Sequence, residues 1–160
     1  VANDLLNIVT KVNNAILSPV PRRIAASTVL AKQKPRIFEQ GLAENGSKIG
    51  TYGTNPISIA KNRQARNTGK TYFKGGYAEY KTAIGKNPGY VNLTNTGQMA
   101  ADYGLIANGD ELAIGFQNSV NADKSEWMED KYQKDIFSMT DSEFNTFVNT
   151  LVYELDKAAR

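Results

Sequence analysis

The sequence predicts an α+β domain, on three observations. Helical periodicity fills both ends of the chain, a β-hairpin signal sits between them, and a stretch rich in Gly, Asn, Thr and Lys separates the first helices from the hairpin. At 160 residues the chain has the size of one domain with a core of its own. The reading is a single domain, 1–160, with two appendages: an N-terminal helix over 1–20 and an extended loop or arm over 45–89.

The first segment, Asp4 to Leu17, sets Leu5, Val9, Val12 and Ile16 on one helical stripe, with Asp4 placed to cap the opening amides. Ser18-Pro19-Val20-Pro21 breaks the run, because proline removes a donor and displaces the residue before it from helical geometry. Pro21 suits the first turn of a second helix carrying Ile24, Ala25, Val29 and Leu30. Pro35 then kinks that helix or starts a fresh turn with Ile37 and Phe38, and Gly41 stops it. Lys32, Lys34 and Arg36 read as a solvated basic face.

From Asn45 to Gly89 the expectation is a long irregular basic arm, with turns at Asn45-Gly46, Thr68-Gly69 and Asn87-Pro88. Lys61, Arg63, Arg66, Lys70, Lys74, Lys81 and Lys86 face only Glu79 there, interleaved with Tyr72, Phe73, Tyr77 and Tyr80. Such a mixture suits either single-stranded nucleic acid, by stacking and phosphate contact, or a protein neighbour.

Tyr90 to Leu93 reads as a short strand and Thr94 to Ala101 as a turn with a brief helical piece. Asp102 to Ala107, then Asn108-Gly109, then Glu111 to Phe116 predicts a β-hairpin on a type I′ turn. Asp123 to Lys134 reads as a charged helix in which Asp123, Glu126, Glu129 and Asp130 are solvated among Lys124, Lys131 and Lys134, with Trp127 as a packing or interface anchor. Thr140 and Glu143 have capping-box spacing. Phe144, Phe147, Val148, Leu151, Val152 and Leu155 then form an apolar stripe expected to lie on the small antiparallel sheet.

Several chemistries drop out. Cys and His are both absent, which removes the Ser-His-Asp and Cys-His arrangements and the usual zinc ligands. Gly69-Lys70-Thr71 ends like a phosphate-binding loop, but Gln64 stands where the earlier glycine is required. The expectation is no enzyme, no catalytic residue, no metal and no cofactor. No apolar run approaches a membrane span, and Val1-Ala2-Asn3-Asp4 does not begin a secretory signal, so the chain reads as soluble. Net charge is +3 but divided: residues 1–86 hold 14 Lys/Arg against 4 Asp/Glu, and residues 87–160 hold 5 against 12.

Three sets of residues carry a family resemblance. Arg36-Ile37-Phe38-Glu39-Gln40-Gly41 with Asn45-Gly46-Ser47-Lys48-Ile49-Gly50-Thr51-Tyr52 resembles a helix end and loop of tailed-bacteriophage virion-morphogenesis proteins. Gly75-Gly76-Tyr77-Ala78-Glu79-Tyr80 leading into Val91-Asn92-Leu93-Thr94-Asn95-Thr96-Gly97-Gln98-Met99 is similar to the stretch before their hairpin. Ile136-Phe137-Ser138-Met139-Thr140-Asp141-Ser142-Glu143 looks like their link into the final helix, though Asp135 precedes Ile136-Phe137 where many relatives carry Arg-Pro before the aromatic. The resemblance implies a structural protein of the virion neck, a head–tail connector or tail-completion protein. It implies copies in a closed ring, about twelve, between adjoining portal, neck or tail proteins, resident in host cytoplasm before assembly. Non-specific DNA contact would suit that place. Arg63, Arg66, Tyr72, Phe73, Tyr77 and Trp127 are the interface candidates. The alternative reading is a basic nucleic-acid-binding module over residues 61–86.

Overall fold

The computed structural model describes residues 9–11, 13, 14, 16–60, 69–109 and 111–160. Asp4, Leu5, Val12, Lys61, Arg63 and Arg66, all singled out in the sequence, lie outside the described residues. The α+β class holds: among the described residues the helices α1 (Pro19–Lys34), α2 (Gly76–Ala83), α3 (Gln98–Asp102), α4 (Ser119–Tyr132) and α5 (Asp141–Ala159) accompany antiparallel strand pairs. These pair β1 (Ile57–Ala60) with β2 (Lys70–Phe73), and β3 (Tyr103–Asn108) with β4 (Glu111–Phe116).

Residues 9–11, 13, 14, 16 and 17 are helical, and Ser18 separates them from α1. The Ser18 Oγ accepts from Val20 N–H at 3.3 Å, and both Pro19 and Pro21 fall in the first turn, where a missing N–H forfeits no helical bond. Ala25, Ala26, Val29 and Gln33 form the buried face of α1. Pro35 neither stops the helix nor simply bends it. Residues Pro35–Glu39 widen into a π-turn closed by Gln40 N–H donating to Pro35 O at 2.9 Å. The widening brings three consecutive side chains, Arg36, Ile37 and Phe38, into the interior. Gly41 then reverses the chain at φ +63°, against a backbone so close that a Cβ there would lie 2.3 Å from Val91 O.

Ile37, Phe38, Ile49, Val91, Met99, Tyr103 and Ile136 make the core. Tyr103 is its centre: its ring meets Phe38, Phe116 and Phe137 at centroid distances of 5.7, 5.0 and 5.7 Å, and its hydroxyl donates to Gln33 Oε1 at 3.1 Å. The β3–β4 register runs from Tyr103 with Phe116 to Asn108 with Glu111, so the turn falls one residue later than the Asn108-Gly109 reading placed it, with Gly109 at φ +59°.

Four expectations are corrected. The described residues of the 45–89 segment are not irregular throughout: they hold β1, β2 and α2, and Gly76 at φ +72° lets the first amides of α2 reach Gly53 O, at 2.8 Å from Tyr77 N. Residues 90–93 form no strand. Val91 N–H makes one bond to Gly50 O, and Leu93 at φ +54° turns the chain away. The apolar stripe of α5 does not rest on the sheet. It is divided: Phe147, Leu151 and Leu155 are half-buried on the side where α5 runs along α1, while Phe144, Val148 and Val152 face water.

The fourth correction concerns Arg36, which is buried rather than solvated. Its Nε donates to Glu143 Oε1 at 2.8 Å, its Nη1 to Leu42 O and Ile136 O at 3.1 Å each, and its Nη2 to Ser138 O at 2.8 Å. Glu143 also completes the predicted capping box, accepting Thr140 N–H at 2.9 Å while Thr140 Oγ1 accepts Glu143 N–H at 3.1 Å.

Burial pushes the Tyr103 phenol well above its ordinary value of 10.0, against a partial opposing pull from Arg36. A folded-state pKa above the unfolded one gives stability that is complete below pH 10.0 and drains away as pH rises beyond it. Tyr103→Phe is therefore expected to lose about 1 kcal/mol at neutral pH through its hydrogen bond to Gln33. Urea titrations should show this deficit shrinking as pH is raised through 10. A deficit that stays constant would mean that the hydroxyl is not sealed from water.

Candidate functional site

Away from the α1–α5 layer the described residues leave an open cleft of about 630 Å³. One wall comes from Thr51, Tyr52 and Gly53 with Tyr77 and Lys81 of α2. The other is a face of α4, and the floor is Val91, Leu93 and Met99 with the loop from Thr94 to Gln98. Lys124, Trp127, Met128, Lys131 and Tyr132 line it at spacings of three, four, seven and eight, the pattern that puts helical side chains on one stripe.

That stripe separates the charges of α4. Lys124 and Lys131 look into the cleft, whereas Asp123, Glu126 and Asp130 are exposed outside its lining. Glu129 is half-buried and not solvated as the sequence reading held. Its Oε1 accepts from Ile136 N–H at 2.8 Å and Phe137 N–H at 3.1 Å, fixing the loop that reaches Arg36. Among the described residues no ion pair joins Lys124 or Lys131 to a carboxylate.

Lys81 is the most buried of the cleft cations and so is no part of an exposed basic arm. Its Nζ donates to Thr94 O at 2.9 Å and stands 5.0 Å from the centre of the Tyr52 ring. Burial, then the charge of Lys86, holds this amine below its ordinary range. Burial likewise raises the Tyr52 and Tyr132 phenols, so both stay neutral at physiological pH. The lining thus carries three lysines and no carboxylate, with an aromatic and aliphatic surface between them. Asn95, in the loop along the floor, holds a buried Oδ1 without a hydrogen-bond partner.

The sequence candidates divide. Tyr77 and Trp127 come together in the cleft. Tyr77 belongs to a run of rings, 5.3 Å from Tyr52 and 5.2 Å from Tyr80, and Phe73 packs on Tyr80 at 5.5 Å. Tyr72 is elsewhere, 64% exposed between exposed Lys70 and Lys74 on one face of β2. Arg63 and Arg66 lie outside the described residues. Sequence reasoning missed Tyr52, Lys124, Met128, Lys131 and Tyr132 as site residues; the Lys-Trp-Met-Lys-Tyr spacing on α4 is the signal that could have found the four that stand beside Trp127 on that wall.

Among the described residues no group of three Asp or Glu side chains is placed to hold a metal ion, and no helix is long and apolar enough to cross a membrane. The cleft can bind, by apolar contact and by charge, a partner that brings both apolar surface and carboxylates.

Trp127, the single tryptophan, is 56% exposed at the rim, with Lys131 Nζ 4.9 Å from its ring centre. The isolated chain is expected to emit at the long wavelength of a wet indole and to be quenched readily by acrylamide. A blue-shifted, unquenched emission from a monomer would contradict an open rim. The chain matches no family model, no curated protein and no solved structure.

Proposed function

We propose that this chain is a structural protein of a tailed-phage virion, one copy in a neck ring that joins the head to the tail. The observation that carries the reading is the outer face of α5. Phe144, Val148 and Val152, four residues apart, are 55%, 38% and 59% exposed, a continuous apolar strip that a protein made to stay single in water would not present. Trp127 and Tyr72 add exposed aromatic surface of the kind found at protein interfaces.

The segments that resemble virion-morphogenesis proteins are also the ones the interior joins. Arg36 of the first segment bonds to Ile136 O, Ser138 O and Glu143 of the third, and Gly50 of the first accepts from Val91 of the second. A framework of this kind supports a scaffold role, in which rigid placement of contact faces is the function. The nucleic-acid reading draws on less. Among the described residues Phe73, Tyr77 and Tyr80 spend their rings on one another and Lys81 is buried, so that of these Lys70, Tyr72, Lys74 and Lys86 are the ones placed for phosphates and bases.

Electron microscopy of particles from the parent phage with this gene inactivated is expected to show filled heads and separate tails, which join again when the gene is supplied from a plasmid. A plasmid copy with the exposed Tyr72→Ala should give fewer joined particles from a protein of unchanged thermal stability. Normal infectious particles without the protein would overturn the reading and turn attention to the basic face of β2.

A further inference from the structure

The turns of this chain contain the pairs Asn45-Gly46 and Asn108-Gly109. In such a pair the glycine nitrogen can attack the asparagine carboxamide, since no Cβ on the following residue stands in its way. The sites are alike in sequence and in openness. Both asparagines and both glycines are exposed, the glycines have φ of +77° at Gly46 and +59° at Gly109, and a Cβ on either would meet nothing within 4 Å. They differ in what holds the reacting groups. Asn45 Oδ1 accepts from Ser47 N–H at 3.0 Å and Gly46 N–H donates to Ala43 O at 3.0 Å, so the carboxamide and the nucleophile are both engaged. The flanking Ala43 and Glu44 N–H groups are tied in turn to Ser47 O and Asp135 O, at 2.8 Å each. At the hairpin no hydrogen bond to another described residue engages the Asn108 carboxamide or the Gly109 N–H. Asn108 pairs with Glu111 as the last rung of β3–β4, both residues are exposed, and a terminal rung opens at the least cost. Opening that rung frees Asn108 from the extended backbone that keeps its carboxamide away from the Gly109 nitrogen.

We infer that Asn108 is a site of spontaneous self-modification in the folded chain, converting through a succinimide with Gly109 to aspartate and isoaspartate, while the fold protects Asn45 from the same reaction. The Gly109 nitrogen gives up its proton to solvent and bonds to Asn108 Cγ. The Cγ–Nδ2 bond breaks, and Nδ2 leaves as ammonia with a proton from water. Water then adds to one of the two carbonyls of the five-membered ring. Opening at Cγ gives aspartate, and opening at the backbone carbonyl gives isoaspartate, with the chain now running through Cγ. Nothing is oxidised or reduced, and water is the sole co-reactant. Either product replaces a neutral amide with a carboxylate on a hairpin tip that borders Pro19, Arg22 and Arg23 at the start of α1. Isoaspartate also lengthens the backbone by a carbon at the rung facing Glu111, which disturbs the end of the ladder and leaves the Tyr103–Phe116 end, in the core, untouched. The inference is independent of the virion role.

Incubation of the full folded chain in mildly alkaline buffer, with samples digested and read by peptide mass spectrometry over several weeks, tests this directly. The peptide carrying position 108 is expected to gain the mass of an amide-to-acid change at least about tenfold faster than the peptide carrying position 45, the factor that two ordinary hydrogen bonds are worth together. Labelling with isoaspartyl methyltransferase should mark position 108, and the rate there should rise with pH, because the attacking nitrogen must lose its proton. In concentrated urea the two positions should react at similar rates, since the fold alone separates them. Equal rates in the folded chain, faster reaction at Asn45, or no acid product at position 108 would overturn the inference. A rate difference that persists unchanged in urea would overturn it too, by assigning the selectivity to local sequence rather than to the fold.

Discussion

A guanidinium group enters the interior of this protein directly after a helix has been forced out of register. Arg36 carries five N–H donors and no acceptor, and burial obliges them to find partners. One carboxylate, Glu143, and three carbonyls, Leu42, Ile136 and Ser138, accept from four of them. These partners come from the turn after α1, the loop after α4 and the first turn of α5, so one side chain joins Leu42, 6 positions on, to groups 100 to 107 positions away. Most other features of the fold follow from keeping that group satisfied.

The π-turn at Pro35–Glu39 is one such feature. An ordinary helical turn would carry Arg36 and its two neighbours around the cylinder, whereas the widened turn delivers Arg36 to Glu143 and Ile37 and Phe38 to the core together. The loop from Asp135 to Met139 is another. It is held from one side by Arg36 and from the other by Glu129, so α4 and α5 are positioned by the same few backbone groups. That arrangement leaves one face of α4 free to line the cleft, and the outer strip of α5 free to face water, on separate parts of the surface.

What the sequence made legible was local. Thr140 and Glu143 sit in the capping box their spacing announces, Gly41 ends its segment, and β3 and β4 pair as alternation predicts. What it hid was set by partners distant in the chain. Arg36 and Lys81 read as surface cations because nothing near them in sequence shows the carbonyls that bury them. The start of α4 at Ser119 was missed because its cap, Asn118, is held in place by Asp102 Oδ2 accepting from Asn118 N–H at 3.1 Å, sixteen residues away. The ordering of the 45–89 segment was hidden for a similar reason: its composition suggests a loop, but Gly76 seats α2 on Gly53 O and the Phe73–Tyr80–Tyr77–Tyr52 rings give it a small apolar layer of its own. The cleft was half legible, through Tyr77 and Trp127, and the lysines that define its charge were not.

The claim on which this account rests is that Arg36 and Glu143 act as one unit. A double-mutant cycle with Arg36→Met and Glu143→Leu, read by urea unfolding, measures it directly. Each single change should cost about 3–5 kcal/mol, because it strands the other charge in the interior. The double variant should cost far less than the sum, because both charges leave together. Single losses under about 1 kcal/mol that simply add, as exposed ion pairs give, would contradict the account.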